Sequence, residues 1–344
     1  GQSATSIPAI AIKPDATKAV LAVQNAVVVV NLSTDAVSSA ISTGTPNDLL
    51  ATADGQYVVV GNYLGSIISF ASESIVANTL NTTTPDYLAV SPADARAATA
   101  HVLRKEVMEV MDVSGATGHQ EGVVPTGPAP EGDKARGVAV NAAGTLAIVI
   151  NNHSQNATVI DLTTDSIIAV YDAGERPGDV KFTPDETQAV IANLDSYFAT
   201  VIDLVGGTTT NVAMGRRGGI VEISPDGMYA YIPVDADGDG VYRINLNTLA
   251  VDGAKVLTGN MGGIGYVFDQ SSGMTLSHDG ATLAVCGSFT NDLSIIDTAS
   301  WAEVKRVTVG TFPTRAAFSP DDSRICVSNK NDDTVSVVTN AGAA

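Results

Sequence analysis

The chain has 344 residues, 44% of them hydrophobic and 16% charged, and its 18 basic against 37 acidic residues leave a net charge of −19. That balance excludes nucleic acid and anionic membrane as main partners, since both repel an acidic surface. No run approaches the 18 apolar residues of a membrane-crossing helix, and two cysteines are too few for a disulfide framework.

With 32 Gly and 14 Pro, the composition suits many short strands joined by tight turns. The opening Gly1-Gln2-Ser3-Ala4 reads as polar chain rather than as the apolar stretch of a signal peptide. One phrase then recurs along the whole length: an apolar run, a Ser-Pro-Asp-like turn, and a second apolar run ending on Asn. In chain order its anchors are Lys13-Pro14-Asp15, Thr52-Ala53-Asp54, Ser91-Pro92-Ala93-Asp94, Asn141-Ala142-Ala143, Thr183-Pro184-Asp185, Ser224-Pro225-Asp226, Ser277-His278-Asp279 and Ser319-Pro320-Asp321. They are 39 to 53 residues apart and mostly near 42, the length of one four-stranded propeller blade.

Within a repeat, strand a precedes the turn (Val180-Lys181-Phe182) and strand b follows it (Ala189-Val190-Ile191-Ala192). Strand c ends on Asp or Asn (Val201-Ile202-Asp203), and strand d is the weaker outer one (Val304 to Val309). β-branched residues dominate, and Pro sits at turns. The sequence therefore predicts an all-β fold, one β-propeller domain over residues 1–344 built of four-stranded antiparallel blades. Eight blades fit the anchors, with seven as the alternative. The last repeat stops after strand c, so the segment Gln2–Ile7 is expected to complete that blade and close the ring.

The phrases Ile191-Ala192-Asn193, Ile150-Asn151 and Val327-Ser328-Asn329, each followed by a strand such as Thr334-Val335-Ser336-Val337-Val338, resemble the YVTN-type β-propeller repeat family. The resemblance covers nearly the whole chain, although Tyr-Val-Thr-Asn itself never occurs. It implies a propeller of the kind found in surface-layer and other extracytoplasmic proteins, hence a secreted, extracellular or periplasmic location. It implies no catalytic residues.

Aligning the repeats places chemistry in columns. The positions leading into strand a bring Asp48, Asp86, Arg136, Asp179 and Arg315 to one mouth of the expected channel, with Arg176 and Arg217 close behind. Such a mouth is the default place for a ligand; the alternative is a ring of mutually compensating surface charges. Lys181 and Glu222 share a strand-a column in neighbouring blades and are expected to form an ion pair. Asp235, Asp237 and Asp239, alternating with Gly238 and Gly240, offer oxygen ligands to calcium, although Leu246 stands where an EF-hand needs its Glu. The four His assemble into nothing, and no phosphate loop or haem-attachment motif is present.

Cys286 and Cys326 fall at like-parity positions of adjacent b strands, which predicts two buried free thiols. Two long segments, 118–134 and 259–270, interrupt the repeats between an outer strand and the next strand a, and the second carries Tyr266 and Phe268. Sequons stand at Asn31, Asn81 and Asn156. The reading that follows is a non-enzymatic extracytoplasmic scaffold, binding a protein or surface-assembly partner with room for a small ligand at the mouth. Two alternatives remain: a lactonase or hydrolase using the mouth carboxylates with a metal, and the platform subunit of a quinone- or haem-dependent dehydrogenase.

Overall fold

A computed structural model of the chain describes residues 9–340 apart from positions 16, 24, 35, 45, 47, 53 and 333 and segments 63–64, 79–86, 91–95, 101–106, 113–118, 126–134, 235–238 and 262–272. Over 87–90, 96–100, 107–112, 119–125 and 135–136 it describes the backbone alone. The described residues contain no helix and form eight antiparallel sheets, seven of at least four strands and one of three. Each is a meander in chain order, the arrangement of a β-propeller blade.

Blade 1 comprises β1 (Ile10–Ile12), β2 (Lys18–Val23), β3 (Ala26–Asn31) and β4 (Ile41–Ser42). Blade 2 comprises β5 (Asp48–Ala51), β6 (Tyr57–Gly61), β7 (Ser66–Ser69) and β8 (Ser74–Asn78). Blade 3 comprises β9 (Tyr87–Val90), β10 (Arg96–Ala100), β11 (Val107–Asp112) and β12 (His119–Pro125). Blade 4 comprises β13 (Ala135–Val140), β14 (Leu146–Asn151), β15 (Asn156–Asp161) and β16 (Ser166–Asp172). Blade 5 comprises β17 (Pro177–Phe182), β18 (Gln188–Asn193), β19 (Phe198–Asp203) and β20 (Thr208–Ala213). Blade 6 comprises β21 (Glu222–Ile223), β22 (Tyr229–Val234), β23 (Gly240–Asn245) and a broken outer edge, β24 (Ala250–Val251) and β25 (Val256–Leu257). Blade 7 comprises β26 (Met274–Leu276), β27 (Thr282–Gly287), β28 (Asp292–Asp297) and β29 (Ala302–Thr308). Blade 8 is β30 (Pro313–Phe318), β31 (Arg324–Asn329) and β32 (Thr334–Thr339). Segment Gln2–Ile7, expected to complete it, lies outside the described residues. The first interrupting segment differs from expectation, because His119–Pro125 within it is blade 3's outer strand, paired with β11.

The chain groups into two compact units, Gly1–Val149 with Thr158–Ala169 and Ile150–Ala157 with Val170–Ala344. Within the second, inner strands β17, β21, β26 and β30 contact one another in succession. Apolar sheet faces fill the spaces between blades: Val190, Ala199 and Val201 of blade 5 pack on Val221, Ala230 and Ile232 of blade 6. Likewise Cys286, Leu293 and Ile295 of blade 7 pack on Phe318, Ile325 and Val327 of blade 8. Strand b is buried on both faces, as in β18 and β31, which explains its unbroken apolar run. In the first unit, blades 1 and 2 meet in the same way through Val20, Val58 and Ile68. Cys286 and Cys326 are buried free thiols.

The recurring turn has a common hydrogen-bond circuit. The Ser224 hydroxyl donates to Asp226 Oδ1 at 2.5 Å and accepts the Tyr229 amide at 2.9 Å, while Asp226 Oδ1 also accepts the Met228 amide at 2.9 Å. Thr183–Asp185, Ser277–Asp279 and Ser319–Asp321 repeat it. These bonds hold the turn carboxyls below their ordinary value, down to about 2 for Asp321, where the Ser319 hydroxyl is the largest cause and the Ser323 hydroxyl the next. At the c–d hairpin, on the same end of the blade, the terminal Asp203 of strand c accepts the Val205 and Gly206 amides. Both circuits are Asx- and ST-type side-chain turns.

Turns of successive blades also interlock. A Cβ added at Gly227 would stand 3.4 Å from Pro184 Cδ, and one at Gly280, where φ is +75°, 2.6 Å from Pro225 Cδ. Between blades 7 and 8 both partners change. His278 replaces the proline and Asp322, at φ +54°, the glycine. Asp322 then accepts His278 Nδ1 at 2.7 Å and the amides of His278 and Asp279 at 3.0 Å each.

Candidate functional site

Because every blade is an antiparallel meander, its b–c loop and the d–a loop entering the next blade lie at the end away from the interlocked turns. In the second unit these loops carry the charged positions singled out in the sequence, and the side chains divide into two groups.

The first group is consumed by the scaffold. Asp179 Oδ1 accepts the Val180 amide at 2.9 Å, and its Oδ2 crosses to blade 6 and accepts the Val221 amide at 3.1 Å. Burial pushes its carboxyl above the ordinary value, against the pull of Lys181. Asp48, in the same column, is buried and accepts the Leu49 amide at 3.0 Å. Inner strands approach so closely here that a Cβ at Gly178 would stand 2.7 Å from the Gly219 carbonyl oxygen. Two places along β17, Lys181 Nζ meets Glu222 Oε2 at 2.5 Å across the blade interface, the pairing expected from the column. Burial opposes the lysine charge, but Glu222 and then Asp179 hold its pKa above the ordinary value.

Of the remaining expected positions, Asp86 and the side chain of Arg136 lie outside the described residues, and Arg315 is half-buried on β30. The structure thus gives Asp48, Asp179 and Arg315 places on inner strands, and assigns the two aspartates to backbone capping. Asp235 and Asp237 lie outside the described residues. Asp239 accepts the Met261 amide, and its carbonyl accepts the Thr258 amide at 3.0 Å, so this carboxylate anchors the start of the second long segment. Among the described residues no group of three or more metal-ligating side chains occurs. Arg243 is turned to other work: Asp252 binds it at 2.8 Å, and its guanidinium lies 4.7 and 4.9 Å from the rings of Tyr229 and Trp301.

The second group projects from the loops. Arg176 and Phe312 hold the same place, each just before the Pro that opens strand a, and each has a left-handed backbone at φ +53° and +56°. Backbone pairing holds both loops alike: Leu194 N donates to Arg176 O at 2.9 Å, and Lys330 N to Phe312 O at 3.0 Å. Arg217 occupies this place in blade 6. Arg176 Nη1 lies 3.4 Å and Arg217 Nη1 3.7 Å from opposite oxygens of Asp195, a b–c loop residue. Tyr197 and Phe289, both 58% exposed, stand on b–c loops, and Phe289 meets Phe312 edge-on at 5.4 Å. The aligned columns brought Arg176 and Arg217 together; Tyr197, Phe289 and Phe312 were not singled out. For Phe312 the available signal was a bulky residue directly before the proline that opens strand a; Tyr197 and Phe289 carry no such mark.

No family model matches the chain, and no curated protein matches its sequence. Solved structures do. The Kuenenia stuttgartiensis hydrazine synthase aligns with 99% of this chain and 97% of its own at 14% identity, TM-score 0.63. The dihydro-heme d1 dehydrogenase NirN in complex with DHE aligns with 90% of this chain and 67% of its own at 15% identity, TM-score 0.70. At such identities the likeness is one of fold: the chain is a β-propeller.

Proposed function

We propose that this propeller is a non-enzymatic binding scaffold, extracytoplasmic as its YVTN-type resemblance suggests, which recruits a partner through the b–c and d–a loops of blades 5 to 8. The observation that carries the reading is the display of Arg176, Phe312 and Phe289 on rigid loops, two of them with left-handed backbones. A non-glycine residue is held so at a cost of about 1–3 kcal/mol, and such positions cluster at binding sites. Aromatic side chains and arginine are also enriched at interface centres, and Tyr197 and Phe289 stand exposed on these b–c loops. The inner-strand charges support the same reading, because Asp179, Lys181 and Glu222 serve blade cohesion.

The test is a photo-crosslinking amino acid placed at Tyr197, Phe289 or Lys330 and, as control, at Val205, an exposed residue of a c–d turn at the opposite end. Expression in the source cells should give a discrete adduct from the loop positions only. Equal adducts from both ends, or none from the loops, would sink the proposal.

A second reading rests on the likeness to NirN. This chain would then be the platform of a haem-dependent dehydrogenase and hold a tetrapyrrole against the same loops. Titration with haem should in that case shift its visible absorbance in stoichiometric proportion to the wild-type chain, and an unshifted spectrum would remove this alternative.

A further inference from the structure

The outer strand of blade 4 differs from those of its neighbours. β16 reads Ser166-Ile167-Ile168-Ala169-Val170-Tyr171-Asp172 and carries no charge before Asp172. It is the terminal strand of its sheet, so one edge of its backbone has no strand beside it within the blade. Ile167, Ile168 and Val170 are 43%, 55% and 49% exposed, the densest group of exposed large apolar side chains among the described residues. The other outer edges with described side chains are polar, charged or short, features that discourage edge-to-edge pairing. β20 exposes Thr208, Thr209, Thr210 and Asn211, and β29 carries Lys305 and a Glu303–Arg306 ion pair. β8 shows one exposed apolar side chain, Val76, between Ser74 and Asn78, and β4, β24 and β25 are two residues long.

The backbone of β16 is set for pairing. The Ala173 amide donates to Gln155 O at 2.8 Å, which ties the end of the strand inward to the start of β15. Hydrogen-bonding direction alternates along an antiparallel edge, so Val170 and Asp172 turn their N–H and C=O groups away from the sheet. Side-chain exposure alternates with it: Ile168, Val170 and Asp172 are exposed, Ala169 and Tyr171 half-buried. The sequence is also self-complementary about Ala169. When a second β16 lies antiparallel with Ala169 on the two-fold axis, Ile168 faces Val170 of the second copy and Ile167 faces Tyr171. Ser166 then faces Asp172, so a hydroxyl meets a carboxylate at both ends. Moving the axis to Val170 sets Ile168 against Asp172, and moving it to Ile168 sets Val170 against Ser166. Side-chain chemistry therefore selects one register.

We propose that β16 is a homodimer contact, in which two chains join edge to edge as antiparallel strands with the two-fold axis at Ala169. The inference is independent of the loop reading, because it uses the outer edge of blade 4 rather than the b–c and d–a loops of blades 5 to 8. Pairing joins two four-stranded blades into one continuous sheet and gives the outward backbone groups of Val170 and Asp172 their partners. The strand offers seven residues a side, against roughly 20–30 in a standard interface, so association is weak and concentration-dependent. Each chain carries a net charge of −19, and the contact has no charge before Asp172. Screening the mutual repulsion with salt therefore strengthens it.

Sedimentation velocity of the full chain from about 5 to about 500 µM, a range suited to weak association, tests this. Wild type should convert from monomer to dimer across that range, and more completely at higher salt. Ile168→Lys, which the two-fold axis places twice in the contact, should weaken dimerisation at least about tenfold. Val205→Lys, at an exposed c–d turn of blade 5, should leave it unchanged, and Val170→Lys stands in if thermal midpoints show the Ile168 variant unfolded. Oxidation of added single cysteines reads the register. Ala169→Cys meets its own copy across the axis, where opposed non-hydrogen-bonded residues lie about 4.5 Å apart between Cα atoms, within disulfide range, and should give a covalent dimer. Ile167→Cys, although at a more exposed position, sits four places from its copy and should not, and the native Cys286 and Cys326 are buried. A chain monomeric throughout, dimerisation unaffected by Ile168→Lys, weakening by salt, or crosslinking at 167 as readily as at 169 would each overturn the assignment. None of these results would alter the adduct expected at Phe289, so the two proposals fail separately.

Discussion

Asp179→Ala is the sharpest probe of how the blades of the second unit are joined. Truncation removes one acceptor shared by two backbone amides, Val180 in blade 5 and Val221 in blade 6. A hydrogen bond to a charged acceptor contributes about 1.5–3 kcal/mol, and a buried amide left unpaired costs about 1–3 kcal/mol. Removing a carboxylate whose burial is itself unfavourable offsets part of that loss, so the variant should lose about 2–3 kcal/mol. At about 2–4 °C per kcal/mol for a unit of this size, its thermal midpoint should fall by roughly 6 °C. The sign of the pH dependence follows from the raised carboxyl. A group with a raised folded-state pKa contributes most below its ordinary value of 3.8, and that contribution is lost as pH rises through the folded value. The deficit of Asp179→Ala should therefore shrink from pH 4 to pH 8. Paired urea unfolding curves at the two pH values measure it. A deficit below about 0.5 kcal/mol at both, which is the scatter of ordinary surface substitutions, or one that grows with pH, would refute the account of Asp179 as a blade-to-blade cap.

The turn carboxyls predict the opposite slope in acid. Asp185, Asp226, Asp279 and Asp321 are all lowered, each first by its Ser or Thr hydroxyl, so their contribution is present above pH 3.8 and is lost as pH falls toward 2. A fourfold Asp→Asn variant should melt at a midpoint that varies less between pH 5 and pH 2 than that of wild type. At the blade 7–8 turn contact, His278→Pro with Asp322→Gly should recreate the proline-on-glycine packing of the neighbouring blades. The double variant should be at least about 0.5 kcal/mol more stable than additivity of the two single changes predicts, and strict additivity would show that the two residues do not form a unit. Burial pushes the Cys286 thiol up and the Cys326 thiol up to about 11, so neither should react with a thiol reagent at pH 8 until denaturant is added. Labelling of the native chain would contradict the strand parity assigned to them.

The parts of the fold that could be read in the chain were those specified by local chemistry repeated many times. Ser224-Pro225-Asp226 makes its own turn through bonds two to five residues apart, and eight such turns give the blade length. Column position was enough to pair Lys181 with Glu222, since equivalent positions on adjacent inner strands are neighbours in space. What escaped was decided by neighbours remote in sequence. Asp179 has the pattern of a surface charge until blade 6 brings the Val221 amide to it. Arg243 sits beside an acidic turn, yet Trp301, almost sixty positions later, determines its surroundings. The outer strand His119–Pro125 carries two glycines' worth of turn signal around it in Gly118 and Gly122, and pairing with β11 overrides that local preference. Arg176 and Phe312 precede prolines, a place where extended backbone is the norm, so their left-handed geometry could not be anticipated.

The interlocked turns bear on how the molecule is made. Pro184 receives Gly227, Pro225 receives Gly280, and His278 receives Asp322, so at each of these joints the later blade docks onto the turn of its immediate predecessor. An emerging blade therefore finds its docking surface already synthesised, and assembly can follow the ribosome one repeat at a time without waiting for distant chain. Deleting blade 6, which lies between two proline–glycine joints, leaves Pro184 to receive Gly280 and preserves the pairing, whereas shifting a boundary by a few residues separates the two halves of a joint. Growth by whole repeats is the route this architecture leaves open.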